Sequence, residues 1–185
     1  MNPELNNLIA DAQAIAEEAK TVFGNLNAEQ LNWKPSPEKW SVGQCFDHLI
    51  VTNEKEFPYV EAAIRDDYKN PFWGKVPFLP KFFGNFILKA VNPENVKKQK
   101  APQVFTPTQS TVSPNVVSEF LANQDKAISL MEASEDLDLA KTIIVSPVAS
   151  FVTYSLSDAY KILVLHERRH FNQARRVMEM QEFPR

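Results

Sequence analysis

Apolar residues recur along this chain at three- and four-residue intervals over long stretches, the spacing that gathers them on one face of an α-helix. The first stretch runs through Leu5, Leu8, Ile9, Ala12, Ile15, Ala16 and Ala19 and stops at Gly24, with Asn2 at the N-cap and Pro3 as the first helical residue. A polar, proline-bearing connection over residues 25–40 follows. Ser41 and Gln44 then have the S-x-x-Q spacing of a capping box, and Trp40 and Cys45 occupy the two positions of a hydrophobic staple. A second helix is therefore predicted from Val42 to about Asp67, with Pro58 kinking or dividing it.

Residues 68–112 break this pattern. Prolines punctuate them and phenylalanines cluster from Phe72 to Phe86, so the segment reads as a long, partly ordered crossover with a short helix near Phe82 to Ala90. Ser113 and Pro114 mark the start of a third helix, whose apolar face is Val117, Phe120, Leu121, Ala127, Ile128 and Met131. Residues 146–154 form an apolar, proline-containing lead-in. Ser157 is the predicted cap of a fourth helix carrying Ile162, Leu163, Leu165, Phe171, Val177 and Met178. The expected class is all-α, in one domain over residues 1–185. The long connection between the second and third helices permits those two to run parallel.

Composition narrows the chemistry. A chain of 185 residues with 44% hydrophobic content suffices for one core. A formal charge of -3 lacks the basic footprint of a nucleic-acid binder. The opening residues lack the basic and apolar blocks of a signal peptide, and no run reaches the length of a membrane span, so a cytoplasmic protein with no integral membrane segment is expected. A single cysteine, Cys45, excludes an internal disulfide and a multi-cysteine zinc framework. Any metal site must then rest on histidine and carboxylate.

The chain has three histidines. His166 and His170 are four residues apart, so on a helix both imidazoles project from one face, as two ligands of one metal require. His48, on the second helix, completes a three-imidazole set suited to zinc, nickel, iron or copper with positions left open. The competing reading is three ordinary histidines satisfied by core hydrogen bonds. HERRH also fits the H-E-x-x-H pattern with Glu167 as base, but only Glu179 and Glu182 follow as carboxylates, and two arginines fill the intervening positions.

Gln44 and Thr52 lie one turn either side of His48, and Gln173 lies one turn beyond His170, so each is a candidate to line the site. Gln44 has a competing role in the capping box. Asp47 and Glu167 point about 100° away from their histidine neighbours and are expected at the surface or behind the ligands. Among Arg168, Arg169, Arg175 and Arg176, expected on a wet face, only Arg169 is one turn from a histidine pair member and joins the candidate lining. The staple position makes Cys45 an inert core residue. The aromatic group Phe72, Trp73, Phe78, Phe82, Phe83 and Phe86 reads as a lid or subunit interface in preference to a membrane-surface element, because Pro77 and Pro80 interrupt the amphipathic helix.

With WSVGQCFDHL at residues 40–49 and HERRHFNQ at residues 166–173 in view, the chain resembles the DinB/YfiT-like superfamily over nearly its whole length. The resemblance implies a four-helix bundle in up-down-down-up order with the long crossover between helices two and three. It also implies metal ligation by His48, His166 and His170, and a homodimer. Relatives include thiol-dependent transferases and isomerases using bacillithiol or mycothiol, and members designated metal-dependent hydrolases. The implied function is thus activation of a low-molecular-weight thiol, or of water, at a divalent metal, zinc or nickel foremost, for attack on a small electrophilic substrate. The alternative is a non-catalytic metal- or small-ligand-binding module acting in a stress response.

Overall fold

The computed structural model describes residues 2–95, 102–107 and 111–185. Helix α1 spans Pro3–Glu18, and the last turn before Gly24 widens into a π-helix, Ala19–Phe23. Asn2 caps α1 by accepting from the Glu4 backbone N–H at 3.0 Å. The polar connection holds a short helix that apolar periodicity does not announce. This is α2, Ala28–Asn32, started by a reciprocal capping box between Asn27 and Gln30.

Helix α3 spans Val42–Ile64, opened by the expected Ser41–Gln44 capping box. Pro58 neither divides nor ends it. Pro58 and Glu54, the residue whose carbonyl loses its helical donor, are both exposed, so the missing bond falls on the solvent side of the helix.

Of the expected 68–112 crossover, residues 96–101 and 108–110 lie outside the described residues. The rest contains 3₁₀ turns at Phe72–Lys75 and Gln103–Phe105, and helix α4, Leu79–Val91, which is longer than the short helix expected there. Helix α5 spans Val116–Glu132. The lead-in is a correction to the all-α expectation, because Ile143–Ser146 (β1) and Ala149–Ser155 (β2) pair as an antiparallel hairpin. Their β-branched and aromatic side chains suit a pleated surface. Helix α6, Leu156–Met178, is capped by Ser155, which accepts from Asp158 N–H at 3.0 Å. Ser157, the expected cap, instead lies inside the first turn and donates to Glu4 at 3.1 Å.

The described chain is thus mostly helical with one small two-stranded sheet. The long helices touch in the pairs α1–α5, α1–α6, α3–α5 and α3–α6, while α4 lies against β2 and α6. At the centre, Phe23, Phe46, Phe120 and Phe171 meet edge to face or tilted, with ring centroids 5.2–5.6 Å apart, one ring from each long-helix segment. Cys45 is buried beside this cluster, and burial pushes its thiol up to about 12, as its staple position predicts for an inert residue.

Candidate metal centre

Three imidazoles converge where the first turns of α3 pass the middle of α6. His48 lies in the second turn of α3, and His166 and His170 sit one turn apart on α6. One nitrogen from each lies within 4.8 Å of the others. The closest pair, His48 Nε2 and His166 Nε2, is 3.1 Å apart. Two nitrogens bound to one metal at about 2.1 Å stand roughly 2.9 Å apart at a right angle and roughly 3.4 Å apart at a tetrahedral angle, so this spacing already suits a shared cation.

The protonation state suits one too. His48 Nδ1–H donates to the backbone carbonyl of Phe105, which leaves Nε2 with its lone pair toward His166. Burial is the main cause that lowers His48 to about 4, against the opposing pull of the Phe105 carbonyl and Asp47. His166 and His170 are held well below the ordinary imidazole value, first by burial, then by the other imidazoles and Arg169. All three are therefore neutral at pH 7, the form that ligates. Nδ1 of His170 is buried and has no hydrogen-bond partner among the described residues, an atom for which a cation would be the natural company. The donor set and this orphaned nitrogen fit a divalent transition metal.

The walls come from several elements. The half-buried Trp40 ring lies nearly parallel to His170, at 5.6 Å and 23°, and 4.8 Å from His48. Sequence reasoning placed Trp40 only in a staple, although its position two turns before His48 was the available signal. The Phe105 carbonyl left no signal, since any residue supplies one.

Of the candidate lining residues, Gln44 gives its Oε1 to the Ser41 backbone at 3.2 Å. Thr52 donates to the His48 carbonyl at 2.8 Å. Gln173 is near enough to His170 to oppose, weakly, the lowering of its pKa. Arg169 reaches across to the carbonyls of Asn92, at 3.0 Å, and Asn95, tying α6 to the end of α4.

Of the two places expected for Glu167, the surface is excluded. Glu167 is fully buried, and accepts from Asn53 Nδ2 at 3.1 Å and from Gln124 Nε2 at 3.0 Å. Asn53 also donates to Asn123 at 2.9 Å, so α3, α5 and α6 share one polar core cluster. Burial raises Glu167 to about 8, with the two amides and Arg168 opposing. Arg168 and Arg175 bridge to Glu18 of α1, at 2.8 and 3.0 Å.

A family model described as the DinB superfamily matches residues 13–174. No curated protein and no solved structure matches the chain.

Proposed function

The chain belongs to the DinB superfamily, and we propose that it is a divalent-metal protein whose ligands are His48, His166 and His170. The observation that carries this reading is the 3.1 Å approach of two Nε2 atoms, one of them fixed in its lone-pair form by the Phe105 carbonyl. With the lone pair of His48 Nε2 turned on His166, the two nitrogens can share a proton or a cation, and the third imidazole nitrogen within 4.8 Å favours the cation. Three imidazole nitrogens favour zinc or nickel and leave coordination positions open, as catalytic sites do.

A metal held there supplies a Lewis acid that lowers the pKa of a thiol or water at neutral pH. The protein's own part is to hold three neutral donors, to wall the site with Trp40, and to anchor the segment after α4 through Arg169. Attack by a low-molecular-weight thiol or by water on a small electrophile is the chemistry this arrangement supports best. Gln173, one turn beyond His170, and Gln44 and Thr52, one turn either side of His48, orient or border the ligands.

The same reading takes α1, α3, α5 and α6 as a four-helix bundle in up-down-down-up order. Its support is the order of cross-helix pairs. Glu4 meets Ser157 and Lys161 while Glu18 meets Arg168 and Arg175, so α1 and α6 ascend together. Phe46 faces Phe120, Asn53 faces Asn123 and Glu61 faces Lys126, so α3 and α5 also share a direction. His48 faces His166 whereas Glu56 and Val60 line one hollow with Ala159 and Tyr160, so α3 opposes α6.

Elemental analysis of the purified untagged protein beside a His166→Ala/His170→Ala variant tests the metal reading. About one equivalent of a transition metal, absent from the variant, is expected. No metal in the wild type after zinc and nickel are offered overturns it.

A further inference from the structure

The outer side of α4 does not look like a surface meant for water. Phe78, Phe82 and Phe86 follow one another at four-residue steps, and their relative exposures are 86%, 62% and 64%. The inner side is apolar as well, with Gly84 buried and Phe83 and Ile87 half-buried, Phe83 against Phe151. A helix apolar on both sides belongs in an apolar surrounding. Phe72, Trp73, Val148 and Phe151 extend the exposed patch onto the preceding 3₁₀ turn and the β1–β2 hairpin, both of which touch α4 or its strand neighbour. The proline objection also falls away. Pro77 precedes α4 and Pro80 sits in its first turn, where a missing N–H costs nothing, so the helix runs unbroken for 13 residues.

Two further observations say what covers the patch. Residues 68–93 contain Lys69, Lys75, Lys81 and Lys89, all exposed, and no Asp or Glu, in a chain whose net charge is -3. The hairpin region, residues 139–157, likewise contains no acid. Lys81 and Lys89, two turns apart, form a stripe beside Phe82 and Phe86. Phe78, at the N-cap of α4, has φ 69°, a left-handed conformation that costs a phenylalanine energy while its ring stands in solvent.

From this juxtaposition we propose that the α4 face is a docking surface for an anionic phospholipid bilayer. The aromatic rings enter the headgroup–acyl boundary, and the flanking lysines meet lipid phosphates. A second copy of the chain fits less well, because a two-fold contact would set the same lysines against one another with no carboxylate between them. No helix among the described residues is long and apolar enough to cross a membrane, so the attachment is peripheral.

Co-sedimentation with vesicles, with the protein in its purified state, tests this. The wild type is expected to sediment with phosphatidylglycerol–phosphatidylcholine vesicles, to stay soluble with phosphatidylcholine alone, and to be released by high salt. Phe78→Asp/Phe82→Asp/Phe86→Asp lowers the partition coefficient by at least about a hundredfold, since each buried ring is worth about tenfold or more. Lys81→Glu/Lys89→Glu lowers it by about tenfold or more, and decides the matter should the triple variant fail to fold. Wild type that ignores phosphatidylglycerol vesicles, or variants that sediment as well as wild type, overturns the proposal. So does a wild-type dimer that splits in the triple variant without vesicle binding, which assigns the face to a second copy.

Discussion

Replacing Glu167 by glutamine should reverse the order of stability between wild type and variant as pH rises. Glu167 is fully buried and its carboxyl is raised from an ordinary 4.5 to about 8, chiefly by burial. Between those values the folded chain keeps a proton that the unfolded chain has lost. Stability therefore falls as pH rises through that window, and is fully present only below the unfolded value. Integrated from about pH 5 to about pH 8.5, the loss from this one group is about 4 kcal/mol. Glutamine has the same shape and never ionises, so it feels none of this. It does set an amide against the amides of Asn53 or Gln124, which costs about 1–2 kcal/mol at any pH. The wild type should then be the more stable protein near pH 5 and the less stable one near pH 8.5, in urea melts run with a chelator present so that no bound cation biases the carboxylate. Parallel stability curves across the range would refute the buried neutral acid.

Two further outcomes concern packing. Cys45 should resist a thiol-reactive disulfide reagent in the native protein and react fully once urea unfolds it, because burial holds its thiol up at about 12. Gly43→Ala should destabilise by about 1–3 kcal/mol in the same melts, since a Cβ there would lie 2.9 Å from the Leu31 carbonyl oxygen and 2.2 Å from Val112 Cγ2.

The helices and the histidines were legible because their signals are local. A capping box at Ser41 and Gln44 fixes where α3 begins, and a four-residue step puts His166 and His170 on one face. The burial of Glu167 was legible as well. Tyr160, Val164, Glu167, Phe171 and Ala174 follow one another at four- and three-residue steps, so the acid stands in the apolar register of α6 and goes where that register goes. Asn53 between Leu49 and Phe57, and Gln124 between Phe120 and Ala127, carry the same signal on α3 and α5. Other features were less accessible. The hairpin hid in a short apolar run with Pro147 in its turn, where periodicity does not separate strand from loop. Ser155 and Ser157 are equally good caps by composition, and the end of β2 decides between them. The Phe105 carbonyl belongs to the backbone and has no residue type to betray it.

The site and the polar core cluster share α3 and α6, on neighbouring faces, and they load the fold in opposite pH directions. Glu167 weakens the apo protein as pH rises. His48, lowered to about 4 from 6.5, weakens it as pH falls, because the unfolded chain takes a proton that the folded site refuses. Complete protonation of the unfolded state relative to this one imidazole is worth about 3 kcal/mol, lost progressively as pH drops from 6.5 toward 4. Nδ1 of His170, without a partner among the described residues, adds a desolvation cost of about 1–3 kcal/mol. A cation binding only the folded chain offsets that cost and competes with protons for the same nitrogens. At a hundredfold excess over its dissociation constant it adds about 2.7 kcal/mol. The melting temperature should therefore rise with zinc or nickel at pH 7, and the rise should shrink as the pH approaches 4 and vanish in His170→Ala. A metal-induced shift that survives in that variant would place the ion elsewhere.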